Sequence, residues 1–293
     1  MLRQNAHKRA ISHFFLTGIL SLVPCITSAV APPEWTVSFA ENIFNAWRAG
    51  TPMPQMSAAH PDASLDDAYL VQRHFVKRML ETEILGGYKA AGVANPDADF
   101  PLVGVMLNSG IRHATDNVVI DLALDPHRHV ENEIGYVFGK AINAPVEDIE
   151  TLRRHVKAVL AIVELPGHAV EARQPATTND IVAWNANAKE MILGEEKNPA
   201  EIDPDNIAIT LTRDGERINE ARGDMAAGGQ WRTLLKAVNH LLRQGYAIQP
   251  GQVITNGALG KILKAEPGRY RADYGPLGVI EFEVRGASGE SVK

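Results

Sequence analysis

The run HVENEIGYVFG, residues 129–139, decides how the chain is read. Its β-branched and aromatic residues favour a strand, in which alternate side chains share a face. Val130, Ile134, Tyr136 and Phe138 fall on one side. His129, Glu131, Glu133, Gly135 and Val137 fall on the other. Two glutamates two residues apart on one face repel. Either water bathes that face, or something positive sits between them.

A third carboxylate bears on the choice. In VKAVLAIVELPG, residues 156–167, an apolar run that reads as a buried strand ends at Glu164. A carboxylate there is costly unless paired or metal-bound. Glu164 is therefore either the partner of an arginine or a cation ligand. Three carboxylates without a thiolate suit a hard cation that takes oxygen ligands, Mg²⁺ or Mn²⁺. Lys89, in GGYKAAG among small residues, is either an ordinary surface lysine or a proton carrier beside such a cation, with a lowered pKa.

Composition sets outer bounds. The 293 residues are 45% hydrophobic and 22% charged, a globular profile, and the net charge of -6 argues against nucleic acid as a partner. Residues 1–31 differ from the rest. Arg3, Lys8 and Arg9 precede the apolar run ISHFFLTGILSLV, and CITSAVA offers small residues for cleavage after Ala29 or Ala31. This is the layout of a secretory signal peptide, so export to a periplasm is expected; a retained anchor is the alternative. Cys25, the single cysteine, lies in that segment, so the processed chain would carry no disulfide and no cysteine nucleophile.

Beyond the signal, residues 32–86 read as a helical N-terminal region. SFAENIFNAWRAG places Phe39, Ile43, Phe44 and Trp47 on one face, with Gly50 as a stop. A second helix starts at Ser64, which makes a capping box with Asp67, buries Ala68, Val71, Phe75, Val76 and Met79, and is expected to end at Gly86 and Gly87. Residues 87–286 read as a β-rich body. Period-two segments dominate, RDGE (213–216) marks a hairpin, and one helix lies in WRTLLKAVNHLLRQG before Gly245. Residues 287–293 read as a tail. The fold class is α+β.

The segments SLDDAYLVQRHFVKRML, GYKAAG, VENEIGYVFG, AIVELPG and GDMAAGGQWRTLLKAVNHLLRQGYAIQPGQVITNGALG, in this order, resemble the 2-keto-4-pentenoate hydratase / 4-oxalocrotonate decarboxylase branch of the fumarylacetoacetate hydrolase superfamily. The resemblance spans roughly residues 35–285. It implies a mixed β-sandwich or barrel body, self-association, and Mg²⁺ or Mn²⁺ held by Glu131, Glu133 and Glu164. It implies that the metal chelates a small 2-oxo acid or its enol, that Lys89 assists keto–enol proton transfer, and that Asn187, Thr255 and Gly257 contact the substrate. The activity so implied is that of a lyase, hydratase-like or decarboxylase-like.

The chain departs from the family pattern in places. PLVG puts Leu102 where an aspartate is usual, with Asp97 and Asp99 a few residues earlier. WNAN replaces DNAS, so Trp184 stands for the acid and Asn187 for the serine, and Lys189 and Glu190 add charges. Two alternatives follow. One is hydrolysis of a C–C bond in a diketo acid, which calls for a histidine base such as His113, His127 or His129. The other is an exported protein that binds metal and 2-oxo acid without turnover.

Overall fold

The computed structural model describes residues 33–95 and 99–286. The expected signal segment with Cys25, the tail 287–293 and Asp97 lie outside the described residues. Among the described residues, no helix is long and apolar enough to cross a membrane.

In chain order the elements are α1 (Trp35–Ala49), α2 (Met56–Ala59), α3 (Leu65–Met79), β1 (Leu85–Ala91), β2 (Leu102–Leu107), β3 (Ile111–His113), β4 (Val119–Asp121), β5 (His129–Phe138), α4 (Ile149–Arg153) and β6 (Val156–Glu164). There follow α5 (Thr178–Ala183), β7 (Met191–Leu193), β8 (Ala208–Arg213), β9 (Glu216–Arg222), α6 (Gln230–Arg243), β10 (Val253–Thr255), β11 (Leu259–Lys264), β12 (Gly268–Asp273) and β13 (Val279–Arg285).

Local chemistry accounts for the main elements. Ser64 and Asp67 form the expected capping box, and the stripe from Ala68 to Met79 is buried. Gly50 ends α1 in the left-handed conformation, at φ 66°. Asp214 and Gly215, at φ 51° and 85°, turn the β8–β9 hairpin. Gly86 and Gly87 do not end α3, which stops at Met79; they belong to β1. Their smallness serves strand packing instead, since a Cβ on Gly87 would lie 2.2 Å from the Val253 carbonyl oxygen. The run NVVIDLAL yields only the short β4.

The larger sheet runs β2-β1-β10-β5-β6-β7-β3, with β11 also paired to β5. Its edge strands β2 and β3 are joined by a single turn at Asn108–Gly110, so the sheet curls back on itself. A second, five-stranded sheet runs β4-β13-β12-β8-β9. The two are tied where Tyr274, just after β12, donates from its hydroxyl to the Ile162 carbonyl and to Asn132 Oδ1. The helices and the outer face of the curled sheet share one large core.

Strand register fixes what faces the inside of the curl, because directly paired residues share a face. One cross-strand row is Gly104, Lys89, Thr255, Gly135 and Leu160. The row on one side of it pairs Glu133 with Ile162, and beyond that Glu131 with Glu164. On the other side lie Met106, Gly87, Val253, Val137 and Ala158. The concave face is therefore acidic at one end and apolar at the other. The apolar end carries part of a separate cluster, including Met106, Val137, Ala158 and Val253.

Candidate metal centre

Glu131 and Glu133 project from β5 and Glu164 ends β6, at the acidic end of the concave face. The antiparallel register places Glu131 directly opposite Glu164. One carboxylate oxygen from each of the three lies within 4.8 Å of the others. The strand face is not wet: Glu131 is 7% exposed, and Glu133 and Glu164 are fully buried. Both faces of β5 are buried, which is why alternation alone left the choice open.

Lys89 is not a surface lysine. It is 3% exposed, and its Nζ lies 2.6 Å from Glu164 Oε2. One ammonium among three carboxylates leaves two negative charges uncompensated. Glu133 Oε1 and Glu164 Oε1 are buried without a hydrogen-bond partner among the described residues. Buried acceptors and charges of this kind are expensive unless a cation meets them. The donor set, all carboxylate oxygen, fits a hard divalent cation.

The titration of the cluster carries the same message. Burial pushes Glu133 well above the usual carboxylate range, and the Glu164 charge adds to it. Burial likewise pushes Glu164 up, to about 7, although Lys89 opposes the shift. Burial pulls the Lys89 amine down, but the charges of Glu164, Glu131 and Glu133 outweigh it and raise its pKa. The lowered lysine pKa expected from the sequence is thus reversed by the three acids around it.

A pH dependence follows. An acid whose pKa is raised by folding contributes stability below its unfolded pKa and loses it as pH rises through the folded value. For Glu164 that window runs from 4.5 to about 7. The raised Lys89 pKa leaves that amine charged throughout the window, so it does not alter the sign. His168 and His240, whose pKa values burial lowers to about 4, act in the opposite sense. The Glu164 contribution is therefore read in thermal melts as the stability of the chelator-treated protein relative to a Glu164→Gln variant, and that difference should fall across this range. The increase in Tm given by Mg²⁺ should grow across it, since cation and proton compete. A Mg²⁺ increment independent of pH would contradict this reading.

The loop after β10 closes over Glu133. Thr255 Oγ1 and the Gly257 backbone N–H, the latter at 3.1 Å, both donate to Glu133 Oε2. These two residues, expected to touch substrate, thus orient an acid. Gly257 sits at φ 90°, and a Cβ there would meet Val93 and the Ala90 carbonyl within about 3 Å, so only glycine fits the turn.

Asn187 lies on the strap of residues 184–190 that crosses from α5 to β7. Asn185, Ala186 and Asn187 all have positive φ, near 50–60°. No hydrogen bond joins Asn187 to the triad among the described residues; its Oδ1 is buried and unpartnered. Trp184 is a packing residue, its indole donating to the Pro54 carbonyl at 2.8 Å.

Sequence reasoning passed over Asn185. Its side-chain amide accepts from the Val105 N–H and donates to the Val105 carbonyl, at 2.7 and 2.8 Å. The Asn185 carbonyl packs against Gly104, the residue paired with Lys89. The two asparagines in WNAN were the available signal, and only their positions in space tell them apart. Tyr274 was also missed, and nothing in DYGPLG singles it out.

No family model matches the chain. In sequence it is similar to 2-keto-4-pentenoate hydratase of Paraburkholderia xenovorans strain LB400, at 23% identity over 80% of this chain and 89% of the relative. It is also similar to 2-oxo-hept-4-ene-1,7-dioate hydratase of Escherichia coli, at 26% identity over 77% and 88%. A 4-oxalocrotonate decarboxylase of Pseudomonas sp. strain CF600 matches at 24% over 80% and 90%. Among solved structures, 4-oxalocrotonate decarboxylase from Pseudomonas putida G7, complexed with magnesium and adipate, superposes with TM-score 0.77. That match has 21% identity and covers 86% of this chain and 98% of that one. Fumarylpyruvate hydrolase from Pseudomonas aeruginosa, in complex with Mn²⁺ and pyruvate, superposes at 0.52 with 15% identity, over 69% and 89%. The fold is that of the fumarylacetoacetate hydrolase superfamily. The sequence resembles its 2-keto-4-pentenoate hydratase / 4-oxalocrotonate decarboxylase branch.

Proposed function

We propose that this chain is a divalent-metal-dependent lyase, hydratase-like or decarboxylase-like, acting on a small 2-oxo acid or its enol. The observation that carries the reading is the buried triad with Lys89 in ion-pair contact with one of its members. Sequence similarity to hydratases and decarboxylases supports it.

Glu131, Glu133 and Glu164 would hold Mg²⁺ or Mn²⁺. When bound, such an ion supplies electrostatic stabilisation of the negative charge that develops on the 2-oxo oxygen. The chain's own residues do the rest. Thr255 and Gly257 fix the Glu133 carboxylate so that one oxygen stays turned toward the cluster. Glu131 alone of the three touches solvent, so substrate approaches from its side. Lys89 Nζ holds a proton against Glu164 and would exchange it at the carbon beside the 2-oxo group. The apolar strands around the cluster exclude water, which strengthens each of these interactions.

Hydrolysis of a C–C bond is less well supported. Among the described residues no histidine bonds to the triad, and His113 lines a cavity of about 670 Å³ that also touches Val137, Leu160 and Val253, at the apolar end of the curl. The test is direct. Purified protein with Mg²⁺ or Mn²⁺ should consume a 2-hydroxydienoate, followed as loss of ultraviolet absorbance, and release of CO₂ separates decarboxylase from hydratase. Metal binding without turnover across a panel of such acids would refute the lyase reading in favour of a binding protein.

A further inference from the structure

Lys189 and Glu190 end the strap that leads into β7, and the structure gives both charges partners. The Arg128 guanidinium is 9% exposed and makes three contacts at once. Its Nε lies 2.7 Å from Asp125 Oδ2, its Nη2 donates to Glu190 Oε2 at 2.6 Å, and its Nη1 donates to the Leu165 carbonyl at 2.6 Å. Lys189 Nζ pairs with Asp125 as well, and Arg112 Nε approaches Glu190 Oε1 at 3.5 Å. Leu165, whose carbonyl is gripped, directly follows Glu164.

The other backbone groups of this segment are held too. The Leu165 N–H donates to the Glu190 carbonyl at 2.8 Å, and the His129 N–H donates to the Pro166 carbonyl at 2.9 Å. The Gly167 N–H donates to the Asn187 carbonyl at 3.3 Å. Both backbone groups of Leu165 are thus taken by the Arg128–Glu190 pair. A buried ionic network gives little stability relative to apolar packing, and its better-attested use is to fix geometry.

We infer that Asp125, Arg128 and Glu190 form a charged clamp that positions Glu164 through the Leu165 backbone. This rests on the reading of Glu164 as a cation ligand. The three act as positioning residues: they hold the end of β6 so that the Glu164 carboxylate stays in register with Glu131 and Glu133. Partners behind a metal ligand commonly govern affinity by 10- to 100-fold.

The experiment measures Mn²⁺ affinity by calorimetry on the full chain. Arg128→Met removes a positive charge, so long-range electrostatics alone would tighten Mn²⁺ binding. The clamp instead requires weakening by about tenfold or more. Arg128→Lys keeps the charge but lacks the planar fork, and it too should weaken binding, whereas electrostatics alone would leave binding unchanged. Leu152→Ala, a buried change in α4, should lower Tm and leave affinity alone, which separates positioning from general stability. If the unaltered protein binds Mn²⁺ and both Arg128 variants bind it as tightly, the clamp is wrong and the metal reading stands. If the unaltered protein binds no Mn²⁺, the metal reading and the clamp fall together.

Discussion

Replacing Glu133 by glutamine is expected to stabilise the chelator-treated protein and to abolish the stabilisation that Mg²⁺ or Mn²⁺ provides. Glu133 is fully buried, and both its burial and the neighbouring Glu164 disfavour its charge. Glutamine removes that charge. Its amide oxygen can still accept from Thr255 and Gly257, and its amide N–H₂ can donate toward Glu164. Each kcal/mol so relieved corresponds to about 2–4 °C in Tm for a chain of this size. The same change removes one of three cation ligands, so metal affinity should fall by about 100-fold or more, at least the upper range seen for groups behind a ligand. Melting curves with and without metal read both effects. A variant that is destabilised without metal and still stabilised by it would contradict the account.

Lys89→Met should behave differently. It strands the Glu164 carboxylate in a dry site, and breaking a buried pair costs about 3–5 kcal/mol. The deficit should appear without metal and shrink when Mg²⁺ is added, because the cation takes over the role of the ammonium. Removing a positive charge beside the cluster should leave metal affinity intact or improved. Turnover should fall by about 10²- to 10⁴-fold, the usual contribution of a positioned proton carrier. The variants therefore separate two roles: Glu133→Gln loses metal and activity together, and Lys89→Met loses activity but keeps its metal. Wild-type turnover in Lys89→Met would remove this lysine from the chemistry.

Much of this was legible in the sequence, and the limits have physical causes. The α3 capping box and the helical spacing of Leu234, Val238 and Leu241 in WRTLLKAVNHLLRQG are local signals, and they placed their helices correctly. The apolar run of β6 showed Glu164 to be buried. Convergence was not legible from spacing, because it depends on the register that sets Glu131 against Glu164 and Lys89 against Thr255. Alternation left exposure open, since a strand inside a curled sheet is buried on both faces. Gly86 and Gly87 looked like a helix stop because glycine signals both turns and close strand approach, and only the neighbouring Val253 carbonyl decides between them. The clamp was invisible for a similar reason. Asp125, Arg128 and Glu190 are ordinary charges until the fold stacks residues 125–128, 165 and 190 on one another.

The most direct test of the central claim is calorimetric titration of chelator-treated protein with Mn²⁺, alongside the Glu133→Gln variant. One ion per chain, bound by the unaltered protein and lost in the variant, is the predicted result. No binding by the unaltered protein, or equal binding by both, would contradict the assignment of Glu131, Glu133 and Glu164 as a metal centre.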